Sequence, residues 1–69
     1  MKICSMYKGQ LATLYNQELE PQYALKVFNN WIAQYPGLLQ QLMSIGYTRG
    51  QKILTPAQVK LIVDALGEP

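Results

Sequence analysis

Apolar residues recur along this chain at intervals of three and four more than of two, the period of helices and not of strands. The clearest case runs from Pro21 to Gln34. At about 100° per residue, Ala24, Val27, Phe28, Trp31 and Tyr35 fall on one face, with Leu25 and Ile32 at its edge. Gln22, Lys26, Asn29, Asn30 and Ala33 fall opposite. Pro21 suits the first helical position, where a missing N–H has no intrahelical partner to lose. Glu18 and Glu20 precede it, where the positive end of a helix dipole favours carboxylates. Pro36 ends the helix by forcing Tyr35 out of the α region.

Shorter periodic segments flank this one. Leu11, Leu14 and Tyr15 put a stripe on a helix over Gln10–Tyr15, and Asn16 to Glu20 reads as a turn with Leu19 pointing inward. Gly37 to Ile45 predicts another short helix carrying Leu38, Leu39, Leu42 and Met43, stopped by Gly46. Thr55-Pro56-Ala57-Gln58 spells an N-cap, a first-turn proline and the third-position glutamine of a capping box. The helix it opens buries Val59, Ile62, Val63 and Leu66 and ends at Gly67, with Leu61 off the stripe and free for a partner or a neighbouring helix. Ile3 to Tyr7 is at best an edge strand. Tyr47 to Leu54, polar at its tip, is either a tight loop or a small β-hairpin. The fold expected is mainly α, a single compact helical domain over residues 1–69 with a helix-turn-helix core and room for a wing-like hairpin.

Composition narrows the class. Sixty-nine residues, 49% of them apolar and 14% charged, are too hydrophobic for disorder and enough for one core. Such a core stabilises by only about 3–5 kcal/mol. A single cysteine, Cys4, rules out an internal disulfide and fits a reducing compartment. The N-terminus has no apolar run long enough for a signal peptide, and no stretch approaches the ~20 residues of a membrane helix. A cytoplasmic chain with no membrane contact is the expectation.

Catalytic chemistry is poorly supplied. The chain has no histidine, so histidine triads and the common zinc sets are excluded. Glu18 and Glu20 read better as solvated helix-start charges than as an acid–base pair. Cys4 reads as a semi-buried structural thiol, since no histidine is at hand to activate it. No phosphate-binding glycine loop is present. The expectation is a non-enzyme with no cofactor, no metal and no small-molecule substrate.

Nucleic acid is the function the polar positions suggest. The net charge is +2, a faint version of the basic footprint that phosphate neutralisation requires. Gln22, Tyr23, Lys26, Asn29 and Asn30 form the candidate reading surface, with Arg49, Gln51 and Lys52 on the backbone and Lys8 near a phosphate. Asparagine and glutamine can pair bidentately with adenine. A polar helix face is also what any amphipathic helix shows to water, but asparagine is a mediocre helix former and a merely solvated face more often uses Glu or Lys. Phe28, Trp31 and Tyr35 read as core and not as a stacking platform. The alternative is a protein-interaction or structural domain that self-associates or docks a partner through Leu61, Tyr7 or Tyr47. The two diverge on one point: double-stranded DNA binding needs Lys8, Lys26, Arg49 and Lys52 on one face with Gln22 and Asn29.

The segments Gly9-Gln10-Leu11-Ala12, Leu14-Tyr15, Ala24 to Ile32, Tyr35-Pro36-Gly37-Leu38, Leu42 and Gly46-Tyr47 resemble a family of small uncharacterised proteins of gut anaerobic bacteria, known as a domain of unknown function. Leu54 to Val59, Ile62-Val63 and Leu66 to Pro69 resemble that family's closing signature. The first half is also similar to regulators of the mercury-resistance and excisionase type. That resemblance implies a first helix over Leu11–Tyr15 and a DNA-reading helix from Pro21 onwards.

Overall fold

The computed structural model describes residues 2–69. Strand β1 (Met6–Tyr7) leads directly into α1 (Lys8–Tyr15), α2 (Pro21–Gln34) and α3 (Leu38–Ser44); strand β2 (Ile53–Leu54) then precedes α4 (Pro56–Leu66). Four helices and one small antiparallel sheet make up the described chain, so the fold is mainly α.

Local chemistry explains most of the boundaries. Glu20 stands in extended conformation before Pro21, and Tyr35 leaves α2 extended ahead of Pro36. Gly37, at φ +78°, turns the chain into α3, a conformation a β-carbon would strain. Thr55 caps α4 as its sequence announces: its Oγ1 accepts from the Gln58 N–H at 3.2 Å, and Gln58 Oε1 accepts from the Thr55 N–H at 3.0 Å.

The core forms where the helices converge. Leu11 and Ala12 of α1, Ala24, Phe28 and Ile32 of α2, Leu38 and Leu42 of α3, and Val59 and Ile62 of α4 are buried together with Leu54 and Tyr47. Tyr15 stacks on Phe28 at 5.8 Å and meets Trp31 edge-on at 6.0 Å.

Three expectations shift. The buried line of α2 runs through Ala24, Phe28 and Ile32 at i, i+4 and i+8, so Val27 and Trp31 are half-buried and Tyr35 is exposed. On α1 the inward set is Lys8, Leu11, Ala12 and Tyr15, which turns Leu14 outward; Leu19, in the turn, is exposed as well. Cys4 is exposed and not semi-buried. Leu61, by contrast, packs half-buried against the core, as a residue facing a neighbouring element would.

The sheet joins two distant parts of the chain. β1 and β2 pair antiparallel, with Met6 opposite Leu54 and Tyr7 opposite Ile53. The edge strand read in Ile3–Tyr7 is therefore present as Met6–Tyr7, and residues 47–52 form the loop, not one arm of a hairpin. That loop closes on itself through Gln51, whose backbone N–H donates to Thr48 O while its Oε1 accepts from the Thr48 N–H. A wing of two strands does not form there.

Candidate nucleic-acid interface

The inward turn of α2 leaves its amide row facing the loop at 47–52. Gln22, Lys26, Asn29 and Asn30 line a groove of about 520 Å³ with Arg49, over a floor of Leu25, Ile32, Ala33, Leu39 and Tyr47. A second groove of about 450 Å³ adjoins it and is lined by Tyr7, Lys8, Gly9, Gly50, Gln51 and Lys52. Leu25, Asn29 and Arg49 belong to both, so the two make one continuous trough. Lys26, Arg49 and Lys52 thus share a surface with Gln22 and Asn29, while Lys8 is buried beneath it.

The cations are not equivalent. Lys8 is only 3% exposed. Its ammonium lies 4.9 Å from the centre of the Tyr47 ring and donates to Arg49 O at 3.1 Å. Its backbone N–H donates to Lys52 O at 2.7 Å. Desolvation pushes this amine below the ordinary lysine range. The sequence places Lys8 near a phosphate; in the fold it instead ties down both ends of the Arg49–Lys52 segment from beneath. Lys26, Arg49 and Lys52 are exposed and make no ion pair within the described chain.

The acidic groups lie elsewhere. Neither groove is lined by a carboxylate. Asp64 pairs with Lys60 at 2.9 Å on α4, Glu20 accepts weakly from Gln22 Nε2 at 3.5 Å, and Glu18 lines a separate hollow with Leu14 and Leu19. The exposed cations Lys26, Arg49 and Lys52 thus lie along the trough, while Glu18 and Glu20 stand at the start of α2 and Asp64 is paired with Lys60 on α4.

Amides divide in the same way. Asn29 and Asn30 are exposed, and their side chains form no hydrogen bond with the described chain. Gln51, in the same candidate set, is half-buried and fully engaged. Its Nε2 donates to Ile53 O at 2.7 Å and to Gln58 Oε1. It holds the loop's shape and has no group left for a phosphate. Tyr23 is exposed but lines neither groove.

Tyr47 and Tyr7 separate clearly. Tyr47 is 3% exposed, and burial raises its phenol above the ordinary tyrosine range against the opposing charge of Arg49. It is floor, not interface. Tyr7 is 59% exposed at the trough's end. The periodicity could not mark Tyr7, because its place follows from the long-range pairing with Ile53.

Among the described residues no cluster of three or more His, Cys, Asp or Glu is placed to hold a metal, and no helix is long and apolar enough to cross a membrane. No curated protein and no solved structure matches the chain. A family profile does, over residues 2–69, which is nearly the full length. By that match the chain belongs to the family described as Domain of unknown function (DUF4248).

Proposed function

We propose that this chain is a non-enzymatic nucleic-acid-binding module whose contact surface is the trough between α2 and the 47–52 loop. One observation carries the reading. Lys26 and Arg49, from elements far apart in sequence, line one groove with the unpartnered amides of Asn29 and Asn30, and no carboxylate lines it. A solvated polar face has no need to collect cations from α2 and a loop while its acids collect elsewhere. Phosphate binding does, because each neutralised phosphate releases counterions. The succession of α1, the 16–20 turn and α2 follows the order of a helix-turn-helix, but with the 47–52 loop beside α2 the contact surface is the trough and not a free recognition helix. The exposed lone Cys4 suits a reducing, cytoplasmic setting.

Fluorescence anisotropy with labelled mixed-sequence oligonucleotides tests this. Three exposed cations on the trough predict a log–log salt slope of roughly −2 to −3. Lys26→Glu or Arg49→Glu should weaken binding at least tenfold and flatten that slope by about one unit or more. Absence of binding at low salt, for single strands and duplexes alike, removes the proposal.

A second reading, an interaction domain, is favoured by the exposed Met43 and Ile45 at the end of α3. Concentration-dependent self-association in sedimentation, lost in Met43→Lys, would support it.

A further inference from the structure

We infer that the trough accepts a single strand of nucleic acid and not a duplex, with Tyr7 as the platform on which one base stacks; the inference rests on the nucleic-acid reading above. Width decides against the duplex. The B-form major groove is about 12 Å across, close to the ~10–12 Å diameter of one helix with its side chains. A reading helix must therefore stand clear of its neighbours. Here α2 does not: Arg49 and Tyr47 line the same groove as Asn29 and Asn30, so loop and helix present one concave surface wider than a single helix. Charge decides the same way. A recognition helix enters by its N-terminal half, and at that end of α2 the Glu20 carboxylate lies 3.5 Å from Gln22 Nε2, a negative charge that repels the phosphates of an entering duplex.

A single strand matches the trough's own chemistry. Such sites combine a cationic groove that follows the backbone with aromatic rings that stack bases. Lys26, Arg49 and Lys52 supply the first, over an apolar floor that includes Leu25 and Leu39. Tyr7 supplies the second. It is exposed beside Lys52 and Arg49, and its backbone is fixed by pairing with Ile53 and by donation to Gln10 Oε1 at 3.1 Å. A ring held on a short, tied strand loses little freedom when a base covers it.

The test uses anisotropy of a dye-labelled mixed-sequence oligonucleotide of about 12 nucleotides, longer than the ~4 that compact single-strand sites need. The same sequence is presented as DNA single strand, as RNA and as duplex DNA, with polyglutamate as an anionic control. At least tenfold tighter binding of either single strand than of duplex is expected. Tyr7→Leu should weaken single-strand binding by about fivefold or more, the lower end of what one base stack contributes, while Tyr7→Phe stays within about twofold. Melting curves of both variants confirm that they fold. Equal or tighter duplex binding overturns the inference and leaves the proposed function standing. Single-strand binding unchanged by Tyr7→Leu overturns the stacking role. Binding of polyglutamate as tight as that of the oligonucleotide, or no binding at all, overturns both readings.

Discussion

The carboxamides of this protein fall into two regions that handle the same chemistry in opposite ways. At the junction of the 47–52 loop with α4, Gln51 and Gln58 are knotted together. Gln58 is buried, accepts from Thr55 N–H and from Gln51 Nε2, and has its own Nε2 3.5 Å from Ile45 O. On α2, Asn29 and Asn30 have no partner within the described chain. A buried amide without partners would be strongly destabilising, so the first region had to be satisfied internally. The second is exposed and stays solvated until something replaces the water. Burial, more than residue type, separates the amides that build the trough from those that line it.

Breaking the first region should have the largest effect. Gln58→Ala removes half of the capping box and leaves Thr55 N–H and the Gln51 amide short of partners, at a cost of about 1–3 kcal/mol. Against a total near 3–5 kcal/mol, the urea midpoint should fall by about a fifth or more. A midpoint shift corresponding to under ~0.5 kcal/mol would show that this knot does not hold the loop.

A smaller effect is expected at Tyr15, whose hydroxyl donates to Gly67 O and fastens the end of α4 to α1. Tyr15→Phe should cost roughly 0.5–1.5 kcal/mol. Burial, and then the charge of Glu68, raises the phenol above its ordinary value of 10.0. The folded form therefore keeps a proton that the unfolded chain releases sooner. The stabilisation is complete below pH ~10 and is lost as pH rises through the higher folded value. Lys8 acts in the opposite sense: burial lowers its value below 10.5, so the cost of burying its charge, present at neutral pH, is relieved as pH rises through that lowered folded value. Subtracting the Tyr15→Phe profile from the wild-type profile isolates the tyrosine. An alkaline loss of equal steepness in both proteins contradicts the assignment.

Much of the helical frame was legible because it is governed locally. Pro21, Pro36 and the Thr55–Gln58 box act within one turn of where they stand, and α2 and α4 begin where these residues place them. The polar row of α2 was legible for the same reason. What stayed hidden depends on distant chain. Pairing of Met6–Tyr7 with Ile53–Leu54 leaves only a two-residue signal at each end. Lys8 reads as an ordinary surface cation until the Tyr47 ring and Arg49 O are brought over it. Gln51 and Asn29 look alike in sequence, and only the approach of α4 tells them apart. Even the rotation of α2, centred on Phe28 instead of on the Trp31 side, is decided by where α1 and α3 meet it.

The sharpest form of the comparison is the smallest in energy. Asn29→Ala with Asn30→Ala removes two amides that hold nothing inside the protein and puts the best helix former in their place. Since asparagine is about half a kcal/mol or so less favourable than alanine in a helix, each substitution should raise stability by a few tenths, measured as a higher urea midpoint. Oligonucleotide affinity should fall in the same protein, since two hydrogen-bonding groups leave the trough while every cation stays. Stability and binding then move in opposite directions, and the salt slope stays where it was because no phosphate contact was removed. A double variant that loses stability would place Asn29 and Asn30 with Gln51 and Gln58 as structural amides, and the distinction between the two regions would vanish with it.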